Sequence, residues 1–158
     1  MPMLRWKMVL PIVLSLCGTV VWAGPADKRV LVLGDSLAGG SGVLHAVTFP
    51  ALLQDQLRAA GYSVDVVSSS ISGATTASAV SRLRWQMRHR PDLVLLELGV
   101  NDGLRGVGLE HTERNVSSVI QILINAHVKV ILAGMRVPES YGKDYARDFA
   151  AIFPRLAA

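Results

Sequence analysis

At 158 residues and 17.0 kDa the chain is long enough for one domain with a real core and too short for two. Sixteen Lys and Arg against twelve Asp and Glu leave a net charge of +4, too mild and too scattered for a nucleic-acid-binding surface. The only cysteine is Cys17, which excludes an internal disulfide and a zinc cluster.

The hydrophobic fraction of 51% and mean hydropathy of +0.38 are high for a soluble chain, and part of the excess sits at the start. Met1–Lys7 carries Arg5 and Lys7, Met8–Val21 is almost wholly apolar, and Val21-Trp22-Ala23 puts small residues at −3 and −1 of a cleavage site. This pattern predicts a signal peptide over residues 1–23, too short for a comfortable membrane span. It also predicts a periplasmic or secreted protein with no stable membrane span after leader cleavage. An uncleaved anchor is the competing reading. Lipid attachment at Cys17 is disfavoured by the bulky Leu16 before it. Loss of the leader would lower the charge to +2, since Arg5 and Lys7 leave with it.

Beyond a short polar lead-in, apolar runs of strand length alternate with helical patterns. Strands are expected at Arg29–Leu33, Ser63–Val67, Asp92–Leu98 and Val128–Leu132. The first, third and fourth are continuously apolar at their centres, as in parallel strands covered on both faces. Helical stripes run through Phe49, Leu52, Leu53, Leu57 and Ala60, with Pro50 suited to the first turn and Gly61 to the stop. Others run through Thr76, Val80, Leu83 and Met87, and through Val116, Val119, Ile120, Leu123 and His127. A last helix is expected from about Lys143 to Leu156. Strict alternation predicts an α/β fold: a doubly wound parallel sheet of flavodoxin-like three-layer type, with residues 24–158 as one domain. Pro154–Ala158 carries no stop signal and no following strand, so the chain reads as cut short, with a fifth strand and last helix missing.

In open α/β sheets ligands sit at the carboxyl ends of the strands. Gly34-Asp35-Ser36-Leu37 follows the first strand, Ser68–Thr75 the second, and Gly99-Val100-Asn101-Asp102-Gly103 the third. Taken singly, Gly-Asp-Ser and Asn-Asp-Gly are ordinary turns, and Gly73 alone carries no information. Following successive strands, they combine a serine hydroxyl, a glycine that admits a close backbone N–H, and a side-chain amide. That set suits a nucleophile and a developing oxyanion.

On the residues VLGDSLAGG (32–40), FPALL (49–53), SISGATT (70–76), RPDLVLLELGVNDGLRG (90–106) and GMRVPESYGKDYARDFAAIFPRLA (134–157), the chain resembles the SGNH (GDSL) hydrolase superfamily. Within it the resemblance is to bacterial arylesterases and the acyl-CoA thioesterase I/lysophospholipase group. The resemblance implies a serine esterase acting on small-molecule or lipid acyl esters or thioesters through a Ser36 acyl-enzyme, without cofactor or metal. It implies oxyanion donors in the Ser36 N–H, the Gly73 N–H and the Asn101 side chain. It also implies an acyl-binding loop bearing Arg136, Pro138 and Tyr141; Asp35 and Asp102, beside the proposed donors, are candidate substrate contacts. Gly40 and Val100 depart from the family's commoner residues.

The family takes its acid and base from one Asp-x-x-His motif, and none of His45, His89, His111 and His127 has an aspartate three residues before it. His45 follows Ser36 closely but lacks an evident orienting partner. The other three read as surface or capping residues. Near-background esterase activity is therefore expected of residues 1–158, with poor solubility from an uncovered fourth strand. Two other classes stand beside the esterase: an exported binding protein keeping the crevice without catalysis, and a nucleotide-binding flavodoxin-like domain. The second lacks a Gly-x-Gly-x-x-Gly opening to its first helix. Asp35, Asp65, Glu97 and Asp102 lack metal-ligand spacing, and Asp35 and Asp102 are expected to hold their loops by hydrogen bonds to backbone N–H groups. Glu97, within the third strand, is expected to pair with a neighbour such as Arg105. Acyl-chain preference and oligomeric state are not legible.

Overall fold

The computed structural model describes residues 26–42, 44 and 47–158. The expected leader over residues 1–23, with Cys17, and His45 lie outside the described residues.

Four strands form one parallel sheet: β1 (Lys28–Gly34), β2 (Val64–Ser70), β3 (Leu93–Glu97) and β4 (Lys129–Leu132), in spatial order β2-β1-β3-β4. The helices are α1 (Ser36–Gly39), α2 (Phe49–Ala59), α3 (Ala79–Gln86), α4 (Val100–Leu104), α5 (Leu109–Asn125) and α6 (Lys143–Ala157). The expected α/β architecture, its four strands and their parallel sense are all present. From β1 the chain steps outward to β2, then crosses to the other side for β3 and β4. This reversal between β1 and β3 is where a doubly wound sheet opens a crevice.

Side-chain alternation sorts the strand residues between two faces. Leu31 and Leu33 of β1 and Val94 and Leu96 of β3 pack with Ala79 and Leu83 of α3 and with Val116, Val119 and Leu123 of α5. Of the predicted stripes, Thr76, Leu83, Val116, Val119 and Leu123 are buried, and Val80, Met87 and Ile120 are partly buried against the same cluster. His127 is the exception. It falls just past α5, exposed, in a left-handed conformation at φ 54°. The opposite face carries Val30, Leu93, Leu95 and Ile131. With Leu53 and Leu57 of α2 they line an open apolar hollow of about 540 Å³.

Two expectations need correction. Ser68, Ser69 and Ser70 are not loop: they extend β2, paired with Val32, Leu33 and Gly34 of β1. A ladder is held by backbone hydrogen bonds, so small polar side chains are tolerated on an edge strand with little to bury. The α2 stripe is also not a buried face, since Phe49 and Leu52 are 43% and 45% exposed. α2 lies along edge strand β2, and Gln54 ties it there by donating Nε2 to the Val64 carbonyl at 2.9 Å.

A second apolar cluster gathers Met135 and Val137 with Ala146, Phe149, Ile152 and Phe153 of α6. Phe149 and Phe153 meet edge to face with centroids 5.6 Å apart. Among the described residues no helix is long and apolar enough to cross a membrane.

Candidate active site

One rung of the sheet sets the site. Gly34, the last residue of β1, is in register with Ser70 of β2 on one side and Glu97 of β3 on the other. The three chains therefore leave the sheet at the same height, and the residues that follow meet above it. Gly34 is a steric requirement of that rung. A Cβ there would lie 2.6 Å from Ala38 Cβ and 2.7 Å from Glu97 Oε2.

Above β1, Asp35 caps α1 by accepting the Leu37 N–H at 2.9 Å. Ser36 is the first residue of that helix, where a backbone N–H has no intrahelical acceptor. Its side chain is partly exposed and has no hydrogen-bond partner among the described residues. It borders an open cleft of about 240 Å³ lined also by Leu37, Val47, Thr48 and Phe49.

Above β2, Ile71–Ala74 forms a turn closed by the Ala74 N–H on the Ile71 carbonyl at 3.0 Å. Gly73 takes its third position at φ 74°, in the left-handed region that turns of this kind give to glycine. Arg105 is packed against it, with Nη2 3.2 Å from where a Cβ would stand. Nothing among the described residues accepts the Gly73 N–H.

Above β3, Asn101 lies in α4 and uses both amide hydrogens. Nδ2 donates to Asp35 Oδ2 and to the Ala74 carbonyl, each at 3.0 Å. One carboxamide thus connects all three loops. An oxyanion taking up an Nδ2 hydrogen would displace or share one of these bonds.

The structure thus brings Ser36, Gly73 and Asn101 to one rim. Asp35 and Asp102 go elsewhere. They are 0% and 1% exposed, and no substrate could touch them. Asp102 accepts from the Thr76 backbone N–H at 2.9 Å and from Thr76 Oγ1 at 2.6 Å, fastening α4 to the start of α3. Both aspartates hold their loops by accepting backbone N–H groups, as expected of them, and the role of substrate contact does not fit. Burial raises the Asp35 carboxyl above its ordinary range, opposed by the Leu37 N–H and Asn101.

Arg136, Pro138 and Tyr141 are exposed on the segment between β4 and α6, which Met135 and Val137 anchor in the apolar cluster. Tyr145, which sequence reasoning did not single out, donates its hydroxyl to the Gly103 carbonyl at 3.1 Å and so ties α6 to α4.

Glu97 does not pair with Arg105. It is 8% exposed, and its Oε2 accepts the Asp35 and Ala38 N–H groups, each at 3.2 Å. Burial, with the Asp35 charge beside it, pushes its carboxyl up to about 7. Arg82 of α3 completes this buried layer by donating Nη2 to the Gly34 carbonyl at 2.7 Å and to the Ser69 carbonyl. Arg82 lies outside the motifs that carry the resemblance, and Glu97 lies inside one of them, at 90–106, without an assigned role there. The signal for Glu97 was its charge inside an otherwise apolar strand.

His89 and His127 lie at the amino ends of the strands, away from Ser36. The His89 carbonyl accepts from Arg29 Nη1, and His127 lines a basin with Lys28, Arg29 and Lys129. His111 is exposed on the first turn of α5, between Glu110 and Arg114. None of the three contacts Ser36. Among the described residues no group of three or more His, Cys, Asp or Glu side chains gathers into a metal site.

Comparison with known proteins agrees with this geometry. The family described as GDSL-like Lipase/Acylhydrolase matches residues 32–158. An arylesterase of Vibrio mimicus is 41% identical over 150 residues, covering 94% of this chain and 74% of that protein. Thioesterase 1/protease 1/lysophospholipase L1 of Escherichia coli K12 is 38% identical over 133 residues; the match covers 84% of this chain and 62% of that protein's length. Among solved structures, TesA superposes with a TM-score of 0.80 at 37% identity, over 82% of this chain and 73% of that one. The SGNH-hydrolase family esterase AlinE4 gives 0.79 at 34% identity, over 82% and 70%.

Proposed function

The chain belongs to the GDSL-like lipase/acylhydrolase family, whose relatives are named as hydrolases of ester bonds, and on that footing we propose that Ser36 is the nucleophile of a serine esterase. The observation that carries this reading is the single rim shared by Ser36, Gly73 and Asn101, fixed by the Asn101 bonds to Asp35 and Ala74.

In the proposed reaction Ser36 Oγ attacks the acyl carbonyl and gives up its proton to a general base, which the described residues do not place beside it. The carbonyl oxygen becomes an oxyanion. The Ser36 N–H, the otherwise unengaged Gly73 N–H and one Asn101 Nδ2 hydrogen receive it, stabilising charge that exists only as the bond forms. The alcohol leaves, and water hydrolyses the acyl-enzyme.

Leu37, Val47 and Phe49 make the cleft beside Ser36 apolar and shallow, which favours a short acyl or aryl ester. The exposed loop bearing Arg136, Pro138 and Tyr141 is the proposed determinant of longer acyl chains, lysophospholipid or thioester. The basic-then-apolar pattern of Met1–Val21 supports export as the setting of the reaction.

Hydrolysis of p-nitrophenyl acetate, paired with fluorophosphonate labelling, tests this. With no Asp-x-x-His in residues 1–158 the turnover is expected near background. Whatever label rises above it should sit on Ser36, with label and turnover both lost in Ser36→Ala. Turnover that survives Ser36→Ala, or a label on another serine, would overturn it.

A further inference from the structure

Glu97 sits where the serine-esterase reading has no use for a carboxylate. It ends β3 directly beneath the nucleophile turn, in register with Gly34. Its Oε2 accepts two N–H groups at once, from Asp35 before Ser36 and from Ala38 two residues after it, both at 3.2 Å. Those two bonds straddle the serine and close the turn from below. Space for Oε2 exists because Gly34 has no Cβ, which would stand 2.7 Å away. The second oxygen, Oε1, is buried without a hydrogen-bond partner.

We propose that Glu97 is a positioning residue for Ser36: its carboxylate clamps the Asp35–Ala38 turn, and its protonation loosens the clamp. The proposal rests on Ser36 being the nucleophile, although the clamp itself can be tested apart from catalysis.

The chemistry follows from the two states. An ionised carboxylate makes charge-assisted hydrogen bonds, roughly twice as strong as those to a neutral acid. Burial works the other way, because removing the charge from water favours the protonated form. The balance places the change near neutrality, with the carboxyl at about 7. The charged and polar groups around it are few. Asp35, above β1, opposes ionisation, and Asp102 of α4 lies beyond it, held by Thr76. Arg82 of α3 bonds the Gly34 and Ser69 carbonyls, with Nε and Nη1 buried and without a hydrogen-bond partner. Ser70 Oγ of β2 also borders Gly34 and takes a hydrogen bond from Ser68. Because one carboxylate oxygen accepts both N–H groups, a change in the protonation of Glu97 alters the hydrogen bonds on either side of Ser36 directly.

The test is a pH titration of the full chain by amide NMR. Between pH 5 and 9 the Asp35 and Ala38 amide shifts should move together, with one midpoint near 7 shared by the Glu97 side-chain carboxyl carbon. Glu97→Gln should remove that midpoint from both amides. In kinetics, kcat should be roughly fivefold lower below the midpoint than above it, and this step should vanish in Glu97→Gln with KM little changed. The general base's own ionisation would remain. Amides that stay flat, or that titrate with a midpoint different from the Glu97 carboxyl, overturn the clamp without any variant being needed. An unchanged kcat profile in Glu97→Gln overturns the positioning role. Turnover unaffected by Ser36→Ala would instead sink the esterase reading, while the amide titration would still decide the clamp.

Discussion

Asn101 donates its side-chain amide to Asp35 Oδ2 at 3.0 Å, across 66 residues of sequence. The same Nδ2 reaches the Ala74 carbonyl, so the group proposed as an oxyanion donor is also the fastening of the three loops. Asn101→Ala should therefore lower kcat on p-nitrophenyl acetate by about 10²- to 10³-fold, the usual cost of one oxyanion donor. It should also destabilise by about 1–3 kcal/mol, because buried Asp35 and the Ala74 carbonyl each lose a partner. Steady-state kinetics and urea unfolding on one preparation separate the two effects. A stability loss with kcat intact would make Asn101 a fastening only.

Gly73 gives a sharper test of the second donor. At φ 74° any other residue is strained by about 1–2 kcal/mol, and a methyl would press on Arg105 Nη2 at 3.2 Å. Gly73→Ala should shift the turn and misdirect its N–H. The expected outcome is a modest fall in melting temperature with a fall in kcat of at least tenfold. Arg105→Ala combined with Gly73→Ala relieves the contact but leaves the strained φ. If the double variant recovers full activity, crowding by Arg105 was the whole effect, and the backbone conformation of Gly73 was immaterial.

The alternation of strands and helices was legible in the sequence because buried parallel strands such as Leu93–Glu97 are continuous apolar runs, and helices such as Leu109–Asn125 repeat every three to four residues. Ser36, Gly73 and Asn101 were legible through small-residue motifs at strand ends. The serines of β2 were misread because side-chain patterning is silent about strands held mainly by backbone pairing. Asp35 and Asp102 were legible as loop fasteners, but their burial away from substrate and their distant partners were not. A motif shows that a carboxylate is present; the local cap of Asp35 on the Leu37 N–H is readable from it, while its bond from Asn101 and the bonds of Asp102 to Thr76 come from 66 and 26 residues away. Glu97 was visible as an anomaly, but its partners were not, since Asp35 and Ala38 reach it only through the β1–β3 register.

Stability should carry a mark of Glu97 with a definite sign. In the unfolded chain this carboxyl ionises near 4.5, and in the folded protein near 7. Between those values the folded state holds the extra proton, so stability falls as pH rises from about 4.5 to 7 and levels off above. The full effect is about 3 kcal/mol at most. Glu97→Gln cannot ionise, so its stability relative to the wild type should rise by most of that amount between pH 5 and pH 8. The raised Asp35 carboxyl acts in the same direction, starting at lower pH. Urea unfolding of both proteins at several pH values measures the difference, and a difference independent of pH would refute it.

Phe149 links the loop between β4 and α6 to Gly103 of α4, the helix that carries Asn101. It is fully buried, meets Phe153 edge to face, and packs in one cluster with Met135 and Val137, which bracket Arg136. One turn earlier on the same helix, Tyr145 bonds the Gly103 carbonyl of α4. Phe149→Ala should cost about 3–5 kcal/mol, the range for a buried aromatic replaced by a methyl. Tyr145→Phe keeps the ring and removes only one hydrogen bond, so it should cost about 1 kcal/mol. The two variants should part in function as well. Phe149→Ala frees the loop carrying Arg136, Pro138 and Tyr141, and should change the ratio of activities on p-nitrophenyl acetate and p-nitrophenyl octanoate. Tyr145→Phe leaves the loop anchored and should keep that ratio. Equal ratios in both variants and the wild type would remove this loop from acyl-chain selection.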